Sequence, residues 1–416
     1  LGQVDRYEKK KEALEKQLQE EMKKPEQQQD RTKLETLSRT LATTQKEFNQ
    51  WMLKLQFQNR TMYESLTINP TTLADIQEDI PSDTLILEYF ISSDELYVFC
   101  IGRNYFFVKS VGVRGEEIVR LVTSYLRRSR KPTPRGLALL ERDAAQLYDY
   151  LVRPVEEAME RFRNVVIAPF GVLYYLPFHA LLRKEGEASE YLIERARISY
   201  TTSATIMDLL KEDRRSMESM LALGNPDGSL PGASEEVERL KNEIFRNRAL
   251  VWTLSDASKE NFFSQAHNYD ILHIATHGLI EKNPLDSYLL LAGATPEQQR
   301  LTLLDVAGYT ALKQNTQLVF LSACRTATES AGDHGTELIT LAQAFAIAGP
   351  PTLIATLWEV ADRSTSLLVY RFYRELTGGE TNTLDALREA QLSLLKSEQY
   401  HNPFYWAPFV MIGSWR

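Results

Sequence analysis

The sequence is poor in cysteine and contains no long apolar run. Only Cys100 and Cys324 occur in the 416 residues, so at most one disulfide can form and a disulfide-stabilised scaffold is excluded. No window reaches the roughly 18 to 20 consecutive apolar residues of a membrane-spanning helix, and no charged and then apolar signal segment opens the chain. We therefore expect a protein of a reducing compartment, the cytoplasm, without a membrane partner.

Positive charge is scarce relative to negative charge. The 48 Lys and Arg against 56 Asp and Glu give a net charge of −8, which argues against nucleic acid as a direct partner because phosphate binding needs concentrated basic residues. The chain lacks both Gly-x-x-x-x-Gly-Lys and Gly-x-Ser-x-Gly, so ATP hydrolysis and serine-esterase chemistry lose support. The 43% hydrophobic and 25% charged residues that are present are typical of a soluble protein with a large core.

The amino-terminal segment has a helical composition. The first sixty residues are rich in Lys, Glu and Gln, and apolar residues recur every four positions before Pro25 and every seven positions after it. This pattern predicts a helical hairpin, and a packing stripe within the chain is favoured over a dimeric coiled coil because fewer than four clean heptads are present. The chain starts at Leu1 rather than at a methionine, and we expect that an upstream part is missing.

The rest of the chain alternates between strand and helix patterns. β-Branched and aromatic runs at 84–90, 95–101 and 105–111 predict a three-stranded meander. Farther on, short apolar strands alternate with helical patterns, which is typical of a mostly parallel α/β sheet covered by helices. A Pro/Gly-rich stretch runs from 225 to 232, and a boundary is expected near residues 215–230. The predicted units are a helical hairpin at 1–66, a scaffold half with the meander at 67–225 and a second half at 226–416.

Two predicted strand ends carry reactive side chains. One apolar run stops at His277-Gly278 and another stops at Cys324-Arg325. Because the carboxyl ends of parallel strands gather binding and catalytic residues, the histidine can serve as the base that makes a thiolate while backbone N–H groups stabilise an oxyanion. Gly278 leaves its N–H open to a substrate carbonyl, and a positive charge at Arg325 favours the thiolate.

Other interpretations of these residues stay open. Cys324 can be an ordinary small core side chain, as we expect for Cys100. A metal pair of His273 and His277 is disfavoured because four residues of strand span about 13 Å, so His273 is expected to be a buried structural residue and no metal site is predicted. His334 is a rival base, although its Gly/Asp/Ser-rich loop would hold a base poorly. The remaining histidines are expected to be structural or surface residues: His179, His267 and His401.

Several sequence blocks resemble the CHAT family of caspase-like cysteine peptidases, in the clan of caspases, separase and gingipains. His-Ile-Ala-Thr-His277-Gly278 resembles the family's histidine motif, and Leu-Ser-Ala-Cys324-Arg-Thr resembles its cysteine motif. Further blocks extend the likeness over roughly residues 30–416, namely 168–178, 230–237, 340–349, 355–362 and 405–413.

The resemblance implies a fold and a set of roles. The implied fold is a caspase-like α/β protein whose mostly parallel sheet is flanked by helices, with a degenerate caspase-like scaffold half before the catalytic half and the helical hairpin first. The implied roles are nucleophile for Cys324, catalytic base for His277, and an oxyanion hole from the N–H groups of Gly278 and Cys324. Helical repeats of the tetratricopeptide type are implied upstream. Two departures bear on substrate preference, namely Arg325 at an often acidic position and Gly335-Thr336-Glu337 in place of a glycine–acid–glycine stretch.

The hypothesis that follows is a cysteine endopeptidase that makes limited cuts in a protein partner and needs no cofactor. A non-catalytic scaffold or receptor module is the alternative from another class, and a different cysteine-based acyl hydrolase is a third. The Gly/Asp/Ser-containing segment 326–335 predicts latency, since such loops are often ordered only when an upstream domain or an activating partner binds.

The preferred substrate residue before the cut depends on one predicted pocket. In the resembled fold, the loop that starts at Trp358 forms a wall of this pocket, and Asp333, Glu359 and Asp362 would favour Lys or Arg there. Arg325 would instead favour an acidic residue. Glu359 and Asp362 can also simply cap the next helix, which would leave an apolar pocket.

Overall fold

The structure is a computed structural model that describes residues 2–24, 29–58, 72–130, 132–201, 217–281, 286–313, 315–322, 324–327, 344–358, 362–379 and 381–414. The strands are β1 (Thr84–Ile91), β2 (Leu96–Gly102), β3 (Tyr105–Val111), β4 (Asn164–Ala168), β5 (Leu182–Glu185), β6 (Ala188–Tyr191), β7 (Arg197–Tyr200), β8 (Met220–Gly224), β9 (Ala249–Thr253), β10 (Ile271–Ala275), β11 (His277–Ile280), β12 (Tyr288–Leu290), β13 (Arg300–Thr302), β14 (Leu318–Leu321), β15 (Cys324–Ala327), β16 (Thr352–Thr356) and β17 (Phe409–Gly413).

The helices are α1 (Gly2–Met22), α2 (Arg31–Gln58), α3 (Leu73–Asp79), α4 (Gly115–Ser129), α5 (Pro134–Leu151), α6 (Glu156–Met159), α7 (Leu192–Arg195), α8 (Pro231–Arg239), α9 (Lys259–Gln265), α10 (Pro296–Gln299), α11 (Leu303–Ala307), α12 (Asp362–Thr377), α13 (Thr383–Leu395) and α14 (Pro403–Trp406). Residues 344–348 form a further helical turn. In the described part of the chain, no helix is long and apolar enough to cross a membrane.

Most strands belong to one large sheet. Within the described ranges it has eleven strands in the order β3-β2-β1-β4-β7-β17-β16-β14-β10-β8-β9. Neighbours are parallel except in the β1-β2-β3 meander and at β16-β17. The prediction of an α/β protein with a mostly parallel sheet is therefore confirmed, and the meander lies within a residue or two of its predicted bounds.

The direction of the large sheet reverses at its centre. β17 runs antiparallel to β16 and parallel to β7, so β16, β14, β10, β8 and β9 run opposite to β7, β4 and β1. The carboxyl ends of the two sets of strands therefore lie at opposite edges. Gly413 ends β17 with a φ of 98°, and a Cβ there would lie 2.1 Å from the carbonyl oxygen of Pro351, so only glycine fits.

The core is built on the central strands. Every residue of β4, β8, β10, β16 and β17 is buried. Strands covered on both faces cannot alternate polar and apolar residues, which explains why these segments are nearly continuous apolar runs in the sequence. α8 and α12 contact each other over this part of the sheet.

The predicted helical hairpin is present at the amino terminus. α1 and α2 pack together, and the rings of Tyr7 and Phe48 stack with their centroids 3.7 Å apart. α2 also contacts α11, where the Gln50 side chain donates a hydrogen bond of 3.1 Å to the carbonyl oxygen of Leu304. The helical stripe therefore packs within the chain, against the half that carries the reactive strand ends.

Candidate active site

The backbones of His277 and Cys324 are neighbours in a second, smaller sheet. β11 begins at His277 and pairs in parallel with β15, which begins at Cys324. The register makes His277 the partner of Cys324 and Gly278 the partner of Arg325. Adjacent strands lie about 4.8 Å apart, so histidine and cysteine stand side by side at the carboxyl edge of β10 and β14.

A short break separates each reactive residue from the large sheet. Thr276 follows β10, and its hydroxyl donates a hydrogen bond of 2.7 Å to the carbonyl oxygen of Leu290 in β12. At this residue the chain leaves the large sheet and enters the small one, which has the order β13-β12-β11-β15 among the described strands. The sequence predicted a strand that simply stopped at His277. The structure instead starts a new strand there, and its pairing fixes the backbone on both sides of the histidine.

The imidazole of His277 contacts a loop that follows β8. Its Nε2 lies 2.6 Å from the Ser229 hydroxyl oxygen and 4.0 Å from a carboxylate oxygen of Asp227. The Ser229 hydroxyl donates a hydrogen bond of 2.7 Å to the other Asp227 oxygen, and the Ser229 N–H donates to the same oxygen at 3.1 Å. Asp227, Ser229 and His277 therefore form a connected chain of polar groups.

This chain selects one tautomer of the neutral imidazole. An ionised carboxylate only accepts hydrogen bonds, so the Ser229 hydroxyl donates to Asp227 and its oxygen accepts the Nε2–H of His277. Nδ1 is then the nitrogen that carries a lone pair. The arrangement thus leaves Nδ1 as the basic atom of His277.

Asp227 is held in its ionised form. Burial tends to raise its pKa, but the hydrogen bonds from the Ser229 hydroxyl and N–H, together with the nearby His277, outweigh burial and lower the pKa of Asp227 below its ordinary value. A carboxylate with a lowered pKa keeps its charge throughout the neutral range. It therefore presents a negative charge 4.0 Å from the imidazole of His277.

The loop that carries Asp227 and Ser229 is tied to the strand that leads to the histidine. The Asn225 N–H donates a hydrogen bond of 3.0 Å to the carbonyl oxygen of Ala275, and its side-chain oxygen accepts one of 2.7 Å from the Leu230 N–H. Gly228 has a φ of 79°, in the region that glycine enters without strain. The turn therefore needs glycine there, and it holds its polar side chains over the end of β10.

His273, four residues before His277, has a different environment. It is fully buried, with Nε2 3.0 Å from a Glu236 carboxylate oxygen on α8 and Nδ1 3.1 Å from the Tyr373 hydroxyl on α12. Both ring nitrogens are satisfied by groups of the core. The prediction of a buried structural histidine is confirmed, and within the described part of the chain no three His, Cys, Asp or Glu side chains are grouped to hold a metal ion.

The residues predicted to form the primary pocket are described only in part. Trp358 is 2% exposed, and its indole N–H donates a hydrogen bond of 3.2 Å to the carbonyl oxygen of Phe404. Its ring is therefore buried directly after β16. Asp362 begins α12. Other predicted or rival residues lie outside the described residues, namely Asp333, His334 and Glu359.

Sequence reasoning missed Asp227 and Ser229. The stretch 225–232 was predicted only as a loop and a boundary. The position of this stretch in the sequence could have revealed its role. A polar Asn-Pro-Asp-Gly-Ser turn directly follows a buried strand, and strand ends in such sheets carry functional residues. The two residues stand 48 or more positions before His277, and only the neighbouring position of β8 and β10 brings them to it.

The sheet and its reactive edge define a caspase-like α/β fold. The chain is similar to a chain in the crystal structure of the Saccharomyces cerevisiae separase–securin complex, with a TM-score of 0.57 and 10% identity over 92% of this chain and 34% of that one. The crystal structure of the Arg specific cysteine proteinase gingipain R gives a TM-score of 0.42 and 10% identity over 72% of this chain and 74% of that one.

The CHAT domain model matches residues 141–414, more than half of the chain, and the chain therefore belongs to the CHAT domain family. It is also 26% identical over 359 residues to tetratricopeptide repeat protein 28 of Homo sapiens, an alignment that covers 70% of this chain and 14% of that protein. The chain thus spans only a small part of this curated relative and about a third of the separase chain.

Proposed function

We propose that the protein is a cysteine endopeptidase that makes limited cuts in a protein partner. The observation that carries this proposal is the pairing of His277 with Cys324 at the carboxyl edge of β10 and β14. Membership in the CHAT domain family supports it. In this proposal Cys324 is the nucleophile, His277 is the base, and the N–H groups of Gly278 and Cys324 stabilise the oxyanion.

The reaction proceeds through two acyl transfers. His277 takes the thiol proton, and the Cys324 thiolate attacks the carbonyl carbon of the scissile peptide bond to form a tetrahedral oxyanion. When the carbon–nitrogen bond breaks, His277 gives its proton to the leaving amine and a thioester remains. Water, deprotonated by His277, then attacks the thioester, and the released thiolate takes the proton back. Asp227 stabilises the imidazolium at each stage by its negative charge.

Substrate choice is proposed to depend on residues near the end of β16 and on the loop after Cys324. Asp333, Glu359 and Asp362 would pair with Lys or Arg before the cut, whereas Arg325 would select an acidic residue. The identity with a tetratricopeptide repeat protein supports an upstream helical-repeat domain that brings the substrate or activates the site. We place this activity in the cytoplasm, as the cysteine content suggests.

Labelling with a thiol-reactive peptide electrophile tests the proposal. An activated Cys324 should react much faster than an ordinary exposed thiol, and His277→Ala should remove the advantage. Cys100 supplies a matched control within the chain, since it is fully buried and burial raises the pKa of its thiol to about 12. Cys100→Ala should label like the wild type. A rate at Cys324 no higher than that of a free cysteine peptide would favour a non-catalytic scaffold instead.

The substrate can then be sought among proteins. Incubating a proteome with the activated protein should produce new amino termini that Cys324→Ala does not produce. Cleavage of small amides or esters with no new protein termini would point to a different acyl hydrolase.

A further inference from the structure

A large groove opens beside the candidate active site. Its volume is about 1160 Å³, and it lies between the loop after β8, the loop and helix after β9, and the segment from β12 to α10. Asp227 lines one end of this groove, and the same side chain lies 4.0 Å from the imidazole of His277. The groove is therefore continuous with the histidine side of the site.

The order of the strands gives the groove its place along a bound peptide. The order β16-β14-β10-β8-β9 puts the end of β16, Cys324, His277 and the groove in sequence along one edge of the sheet. A chain laid across this edge passes the cysteine before the histidine. Because the histidine must protonate the leaving amine, the residues after the scissile bond lie on the histidine side. The groove is where those residues would continue.

The lining of the groove combines an apolar floor with negative charge. Phe263 and Leu291 supply the floor, and Asp227, Glu260 and Glu297 supply exposed carboxylates. Lys259 is the cation among the lining residues, but its ammonium group lies 2.7 Å from Asp305 and 3.1 Å from the carbonyl oxygen of Arg300. Its charge is thus matched by Asp305. Arg300, just outside the lining, attracts the Glu297 carboxylate, so the surplus negative charge along the groove rests mainly on Asp227 and Glu260.

We propose that this groove binds the substrate segment on the carboxyl-terminal side of the cut and prefers Lys or Arg within it. Its volume of about 1160 Å³ admits a peptide segment, and basic side chains complement its carboxylates. The proposal rests on the proposed peptidase function for the direction of the bound chain, although the binding of a basic peptide can be measured without catalysis.

The first arm of the test uses cleavage. Peptides with one common sequence before the cut would carry either a small fluorogenic amide, a Lys-rich extension or a Glu-rich extension after it. Glu260→Gln with Glu297→Gln should lower kcat/KM for the Lys-rich peptide by about three- to tenfold, because two charge-assisted contacts are lost. Turnover of the small amide should not change. Glu187→Gln with Glu238→Gln, two exposed glutamates outside the groove lining, is the matched control and should leave all three rates unchanged.

The second arm uses binding and separates the two proposals. Cys324→Ala protein should bind a fluorescein-labelled Lys-rich peptide more tightly than a Glu-rich one, and the groove substitutions should remove that difference, as followed by anisotropy. If no peptide is cleaved but this preference is present and lost in the groove variant, the groove stands and the peptidase function fails. If the groove variant binds and cleaves the Lys-rich peptide like the wild type, the groove proposal is overturned whatever the activity.

Discussion

Each half of the large sheet has a histidine that follows one of its strands, and the two histidines differ in burial and in hydrogen-bond partners. In the half built on β1, β4 and β7, His179 is buried, with its ring nitrogens 3.3 Å from the Tyr200 hydroxyl and 3.1 Å from the Gln391 amide nitrogen. In the half built on β8, β10, β14 and β16, His277 is partly exposed and contacts Ser229.

The difference lies in what covers each histidine. Gln391 on α13 closes over His179, and burial lowers the pKa of that imidazole to about 3. A histidine with so low a pKa cannot shuttle protons near neutral pH. Within the described ranges, the turn at 225–230 and the small sheet lie beside His277, and its side chain stays partly exposed. The half that contains His179 is thus suited to a structural role, whereas the half that contains His277 leaves an imidazole accessible.

The largest expected effect concerns the half of the sheet that carries His277 and Cys324. Cys324→Ala and His277→Ala should each lower kcat/KM of peptide cleavage by several orders of magnitude, because nucleophile and base act as one unit, and the double variant should lose little more. The rates would be measured on a peptide cleaved by the wild type, with circular dichroism to check the fold. If His277→Ala keeps most activity while His334→Ala loses it, the base is His334.

The next largest effect is the difference in stability between variants of two histidines in one chain segment. His273→Ala should lower the free energy of unfolding by about 3 kcal/mol, because it leaves a cavity and deprives buried Glu236 and Tyr373 of their partner. His277→Ala should cost less than about 1 kcal/mol, since its ring is partly exposed. Urea denaturation of both variants measures the two values. Equal losses would mean that His277 also has a structural role.

The contrast between the halves was only partly predictable from the sequence. Apolar runs such as Ile271–Ala275 predicted the buried strands, because burial on both faces leaves a direct compositional signal. β11 and β15 were missed, since four-residue segments such as Cys324–Ala327 become strands only through their pairing. β17 comes last among the described strands yet lies at the sheet centre between β7 and β16, a neighbourhood set by long-range packing. The contact of Ser229 with His277 depends on the same kind of packing.

The pH dependence of the free energy of unfolding tests the burial of His179, in the half built on β1, β4 and β7. The pKa of His179 is about 3 in the folded protein and about 6.5 when unfolded. A pKa lowered by folding means that unfolding takes up a proton below pH 6.5, so the stability that neutral His179 provides is complete above that pH. It is lost at about 1.4 kcal/mol per pH unit as the pH falls toward 3.

His179→Gln isolates this contribution. At pH 7.5 the variant should be less stable than the wild type by about 1 to 2 kcal/mol, because the buried contacts change. Between pH 6 and pH 4 the gap should narrow and then reverse, since only the wild type has the protonation penalty. Urea denaturation at several pH values would measure the gap, and parallel stability curves would show that His179 is not buried in its neutral form.

The smallest expected effect concerns the positioning of His277 by Ser229. Ser229→Ala removes the hydroxyl between Asp227 and His277, and kcat/KM should fall by about tenfold because the Nε2–H loses its acceptor and the tautomer is no longer fixed. The pKa of Asp227 should rise toward its ordinary value, since the Ser229 hydroxyl helps to lower it while the backbone N–H of residue 229 stays. Carbon-13 NMR of the Asp227 carboxylate would follow this shift, which a purely structural defect would not produce.

Ser229→Thr keeps the hydroxyl and should restore both the rate and the titration. If Ser229→Ala cleaves peptide at the wild-type rate, then the Ser229 hydroxyl does not position His277, and the openness of the strand end alone accounts for the difference between the halves.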